Sequence, residues 1–265
     1  LTSLAANSEI YIADRALDGL GGLEATEGTL LWSSGNSVIN AGTVVVFSNV
    51  NDDTTRTVSI GSVTEPDAGF NPTDKEGIFI YTGTDENTVT SFIYGLQIGN
   101  DDSETGDLTG SGLVLGTSFI VVDNSASPDG GYYNGSKNNQ NVYNDYLSLI
   151  SNKTNWTTTT GNGYTLTIPF SQEAFTINTT NWTGGTSSVW NLAGNWDNGI
   201  PTEDSNAIIP DTANDPIITS SLNTGNITLS PNANLTITGS ITNKGLTTIN
   251  SGATLIATGS LSGTV

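Results

Sequence analysis

The side chains able to do chemistry in this chain are nearly all oxygen donors. Asp101, Ser103, Thr105 and Asp107 alternate along the run Asn100–Asp107. Asp52 and Asp53 stand beside Asn49 and Asn51, and Asp123, Asn124 and Asp129 make a third group. Hard oxygen ligands in a short loop are what calcium takes, so calcium is the expected ion if any is bound. The plainer reading of each group is a solvated acidic turn. A pair of carboxylates for glycoside hydrolysis would be drawn from Glu24, Glu27, Asp67, Asp74 and Glu76, whose spacing is not diagnostic. The chain has no His and no Cys, which removes the triad and thiol mechanisms. No catalytic residue is assigned.

Tyr132 and Tyr133, beside Asn134, have the composition of a glycan-stacking platform; the competing reading is that both rings pack in the core. Trp32 and Trp156 read as core. Asp53-Thr54 and Asp211-Thr212 resemble the O-glycosylation sequence of flavobacterial secreted proteins, which makes Thr54 and Thr212 candidate acceptors.

Charge narrows the partners. Against 26 acidic residues stand 6 basic ones, a net charge of −20, which excludes phosphate-backbone recognition and disfavours anionic lipid. No apolar run is long enough to span a bilayer. The expected partners are glycans, other cell-surface components or further copies of the chain. With no Cys and no Met, the chain offers little to oxidation outside a cell. It begins at Leu1 without a leader-like run, as expected of a processed or excised segment of a secreted protein.

The elements that must position these residues are strands. Gly, Asn and Thr are abundant, and they favour tight turns and strands. Strands are expected at 9–14, 27–32, 41–47, 57–60, 77–81, 91–96, 113–122 and 164–169. The Gly83–Asn87 turn joins the pair at 77–81 and 91–96. One helix is expected from Val142, capped by Asn141, through Ile150.

In the second half, NITLSPNANLTITGSITNKG (226–245) aligns with LTTINSGATLIATGSLSGTV (246–265), a repeat of about 20 residues. Thr228, Ala233, Leu235 and Thr238-Gly239-Ser240 recur at Thr248, Ala253, Leu255 and Thr258-Gly259-Ser260. Short strands with Gly or Asn corners at this period define a parallel β-solenoid. Residues 206–225 are expected to form a degenerate first coil, and the repeat is still in phase at Val265. An open solenoid end needs a plug. Trp182, Trp190 and Trp196, three of the five tryptophans, lie just before the repeat, where that plug belongs.

The expected fold is therefore all-β: a β-sandwich-like module (1–170), a linker and Trp-rich cap (171–205), and the opening coils of a parallel β-solenoid, or β-helix (206–265). The order EGTLLW (27–32), INAGTVVVF (39–47), DAGFNPTDKEGIFIY (67–81), FIYGLQIG (92–99), GLVLGTSFIVVDN (112–124), GGYYNGSK (130–137) and YLSLISNKTNWT (146–157) resembles an uncharacterised module of large secreted surface proteins of flavobacteria and cyanobacteria. WTGGTSSVWNLAGNWDNGIPTEDSNAIIP (182–210) resembles segments that precede solenoid repeats in bacterial surface proteins. The resemblance carries no functional residue with it; the solenoid, the few charges and the missing His and Cys lead to the expectation of an extracellular, non-enzymatic segment: an adhesin, stalk or filament component. The alternatives are a carbohydrate-binding module and a fragment of a secreted hydrolase.

Overall fold

The computed structural model describes residues 2–25, 27–72, 75–99, 105–123, 128–138, 140, 143–160, 171–203 and 205–264. The chain forms two compact units. One comprises Leu1–Lys137 with Tyr143–Phe175, the other Asn138–Val142 with Thr176–Val265. The expected strand at 164–169 lies outside the described residues.

The first unit is built on a six-stranded sheet. Its strands run in the order Phe119–Asp123, Thr88–Ile98, Glu76–Asp85, Glu9–Ala13, Thr29–Ser33 and Ser62–Asp67. Pairing is antiparallel except for Phe119–Asp123, which lies parallel to Thr88–Ile98. Alternation buries residues on both faces. Tyr11, Ala13, Phe79 and Tyr81 fill one side, while Leu30 and Trp32 are buried on the other. Tyr11 stacks on Tyr81 at 5.2 Å, and Phe79 on Phe119 at 6.2 Å. Gly95 is required here, because a Cβ would stand 2.8 Å from the Phe119 ring. Leu17, Leu23, Leu108 and Leu113 close over these rings from loops and short ladders.

Several elements differ from expectation. No strand forms over Ala41–Val46. The apolar run is only half-buried, and pairing is limited to Phe47–Ser48 with Thr57–Val58. Gly42 sets this geometry: at φ +84° it turns the chain against the Phe175 carbonyl, 2.2 Å from where a Cβ would be. Leu113–Ser118 is likewise a turn, whose Val114 carbonyl accepts from the amides of Thr117, Ser118 and Phe119. The helix is only Asp145–Ile150, with Asn144 at its cap position; Asn141 and Val142 lie outside the described residues. One and a half turns suffice to bury Tyr146, whose ring meets Phe175 at 4.9 Å. The outermost strand, Ser62–Asp67, was not expected. It carries one apolar side chain and a proline, which only an edge tolerates.

The second unit is a parallel β-solenoid with three stacks of strands. One contains Thr179–Asn181, Asn206–Ile209, Asn226–Leu229 and the end of Ser240–Ile249. The second contains Ile217–Ile218, Asn234–Ile237 and Thr254–Ala257. The third contains Leu222–Thr224, the start of Ser240–Ile249 and Ser260–Thr264. Ile227 pairs with Thr247 and Asn234 with Thr254, which is the twenty-residue repeat in register. Inward side chains (Ala207, Ile209, Ile218, Ile227, Leu229, Leu235, Ile237, Ile241) form one buried core.

The three indoles belong to that same core. They lie in the segment between the first rung, Thr179–Asn181, and the second, Asn206–Ile209. Trp196 packs edge-on against Trp182 at 5.1 Å and Trp190 at 4.7 Å. Trp182 Nε1 donates to the Asn214 carbonyl (2.7 Å) and Trp196 Nε1 to the Trp190 carbonyl (2.8 Å). Asn195, wholly buried, pins the loop by accepting from the Thr186 and Ser187 amides and donating to the Val189 carbonyl.

Trp196→Ala should cost about 3–5 kcal/mol, the range for emptying a buried aromatic site. Gly259→Ala should cost about 1–3 kcal/mol, since its Cβ would meet the Gly239 carbonyl oxygen at 1.8 Å. Denaturant unfolding followed by tryptophan fluorescence measures both. A loss well under about 1 kcal/mol for Trp196→Ala would mean that the indoles do not plug the coil.

Candidate functional site

Of the acidic groups singled out above, the described residues bring one pair beside an open cleft. The loop Asn49–Arg56 turns back on itself, with Asn49 at φ 52° and its side-chain Nδ2 donating to the Thr55 carbonyl. The Asp52 carboxylate accepts from the Thr54 hydroxyl (2.6 Å), the Thr55 hydroxyl (2.8 Å) and the Thr54 amide (2.9 Å). These bonds, the two hydroxyls foremost, pull its pKa down to about 2. Arg56 then reaches the Val50 carbonyl with Nε and Glu65 with Nη2, both at 2.8 Å. Glu65 also accepts from the amides of Gly69 and Phe70, at 3.0 and 2.9 Å. Burial works against its ionisation, but the Phe70 amide, Arg56 and the Gly69 amide outweigh it and hold the pKa below its ordinary value.

Between this loop and the strap Ala68–Asn71 lies an open cleft of about 400 Å³, lined also by Asn51, Asp53, Arg56 and Glu65. Asp52 is committed to its own turn and Arg56 to Glu65. The side chains left to meet a ligand are the amides of Asn51 and Asn71 and the Asp53 carboxylate. That set can hydrogen-bond a hydroxylated molecule, and it contains no nucleophile with an adjacent base.

The other candidates are dispersed. Asp101 and Ser103 lie outside the described residues. Thr105 is buried, and Asp107 accepts from the Thr109 amide at 2.9 Å. Asp123 ends a sheet strand; Asn124 lies outside the described residues, and Asp129 falls in the strand Pro128–Tyr133. Among the described residues, no three His, Cys, Asp or Glu side chains converge as metal ligands would. Tyr133 packs against Trp156 (5.9 Å) and Phe175 (5.8 Å), and its hydroxyl donates to the Ser136 carbonyl. Tyr132 alternates with it in the strand and is half-buried, while Asn134 is exposed. The Thr54 hydroxyl donates to Asp52, and Thr212 donates to the Asn214 carbonyl at 3.2 Å.

Of the carboxylates weighed for hydrolysis, Glu24 is exposed, Glu27 is half-buried, Asp67 stands 3.5 Å from Arg15, and Glu76 is buried. Asp74 lies outside the described residues. Sequence reasoning passed over Asp14, which is buried beside Glu76. The signal available was the break in alternation at the end of the strand Glu9–Ala13.

Comparison with known protein families, with characterised proteins and with solved structures finds no match for this chain.

Because the Asp52 pKa is depressed, the carboxylate supports its turn above the ordinary carboxylate range, and that support is lost only as pH falls through about 2. A carboxyl titration of Asp52 by NMR should give that low midpoint, and Asp52→Ala should speed exchange of the Thr54 amide. An Asp52 midpoint in the ordinary range would mean the two hydroxyl bonds do not hold in solution.

Proposed function

We propose that the chain is a non-enzymatic structural and adhesive segment of a large secreted bacterial cell-surface protein, an adhesin, stalk or filament component. The observation that carries this is the parallel solenoid with its aromatic plug. Each coil is tied to the next along three stacks of backbone hydrogen bonds around one apolar core. A load applied along such a stack is shared by many bonds, and the coils form a stiff spacer. The unit's outer columns, such as Asn223-Thr242-Ser262 and Ser240-Ser260, carry amides and hydroxyls in place of charges. That composition suits repeated neutral contacts with glycans or other surface components.

Supporting the non-enzymatic part, Asp52, Glu65 and Asp107 are committed to hydroxyls, amides or a guanidinium of their own loops. The first unit then serves as a presenting module, with the Asn51–Asp53 cleft as the surface offered for contact.

The test is where the protein sits and what it holds. Antibodies against the chain should label intact cells that make it, and external protease should remove the signal. Labelling that appears only after lysis would overturn the proposal. Turnover of a polysaccharide, abolished by one carboxylate substitution, would favour the hydrolase alternative. Glycan retention lost on changing Asn51 and Asp53 to Ala would assign adhesion to the cleft.

A further inference from the structure

The strap Ala68–Asn71 passes hard against Gly28, just before the strand Thr29–Ser33: a Cβ on Gly28 would clash with the Phe70 nitrogen. Two carboxylates fasten it. Glu65 takes the amides of Gly69 and Phe70, while Asp14 takes those of Asn71 (2.6 Å) and Gly28 (3.1 Å). The two differ in their surroundings. Glu65 has Arg56 as counter-ion. Asp14 is 1% exposed, and no cation contacts it among the described residues. Arg15, next in the chain, turns instead to the Glu24 and Glu86 carbonyls, Asn87 and Asp67. On the strand Glu76–Asp85, Glu76 is 5% exposed and adds a like charge.

We propose that Asp14 is a proton-controlled latch, fastening the strap more tightly in mildly acidic than in neutral surroundings. Burial, and to a smaller extent the charge of Glu76, hold the Asp14 pKa up at about 6 although the backbone amides of Asn71, Asp14 itself and Gly28 favour the carboxylate. Lifting the strap hydrates the carboxyl and returns it toward its ordinary value. The closed strap therefore binds the extra proton, and closure strengthens as pH falls from neutral through about 6. The strap is one wall of the cleft that Asn51, Asp53 and Arg56 also line, so the latch sets how firmly that wall is held.

Hydrogen exchange at Asn71 and Gly28, corrected for intrinsic rates, should show strap opening increasing roughly tenfold between about pH 5 and about pH 7.5. Asp14→Asn should flatten that dependence. Opening that ignores pH in the natural chain, or the same slope in Asp14→Asn, would overturn the latch. Should the variant not fold, a carboxyl titration of the natural chain decides. An Asp14 midpoint near 6 supports the latch, and one in the ordinary carboxylate range sinks it.

Discussion

Consecutive coils of a parallel β-solenoid sit one strand spacing apart, about 4.8 Å, and that distance dictates the composition of the C-terminal unit. At the corners the backbones of successive coils nearly touch. A Cβ on Gly245 would stand 2.9 Å from the Gly225 carbonyl carbon, and one on Gly259 still closer to Gly239. Where the turn needs a left-handed residue, Asn232 (φ 64°) and Gly252 (φ 78°) occupy equivalent places. Inward positions are mostly apolar, and small and large side chains share a column, as where Ala207 pairs with Ile227. The end of such a stack would expose its core, and three large aromatics meet that need in one short segment.

The N-terminal unit answers a different constraint. With 26 acidic and 6 basic residues, cations cannot neutralise most of the carboxylates. Many are instead tied to backbone amides of tight turns, the other strong donor available. Asp18 takes the amides of Leu20 and Gly22, and Asp107 that of Thr109. In the solenoid unit Asp197 likewise takes the Asn181 amide and side chain. Arg15 and Arg56 are used where one group must join several segments. Arg15, fully buried, ties the Glu24 and Glu86 carbonyls and Asn87 together beside Asp67.

These physical differences explain what the sequence disclosed. The solenoid was legible because its spacing forces Gly, Asn and apolar residues to recur at one period, and Leu235 and Leu255 meet as that period requires. The hairpin of Glu76–Asp85 with Thr88–Ile98 was legible from its alternation and polar turn. The run Val44–Val46 misled, since β-branched residues favour strands only when a partner is in reach and Gly42 turns the chain away. Ser62–Asp67 escaped notice because an edge strand needs little apolar content. The cleft was half legible: Asp52 and Asp53 stood out as a cluster. That Asp52 is committed to Thr54 and Thr55, and that Asp14 lies buried under the strap, depends on tertiary contacts that composition does not encode.

The same fasteners give the chain an uneven response to acid. Asp18, Asp52, Glu65, Asp107 and Asp197 have depressed pKa values, so each supports its turn above the ordinary carboxylate range and loses hold only below it. Asp14 runs the other way, its raised pKa favouring closure as protons are added. Mild acid also begins to relieve the self-repulsion of a chain at −20. These terms act together between neutrality and the ordinary carboxylate range. There the turns remain fastened, the strap tightens and net repulsion falls. These described acidic residues thus act as a distributed set of clips, each holding its own stretch of backbone.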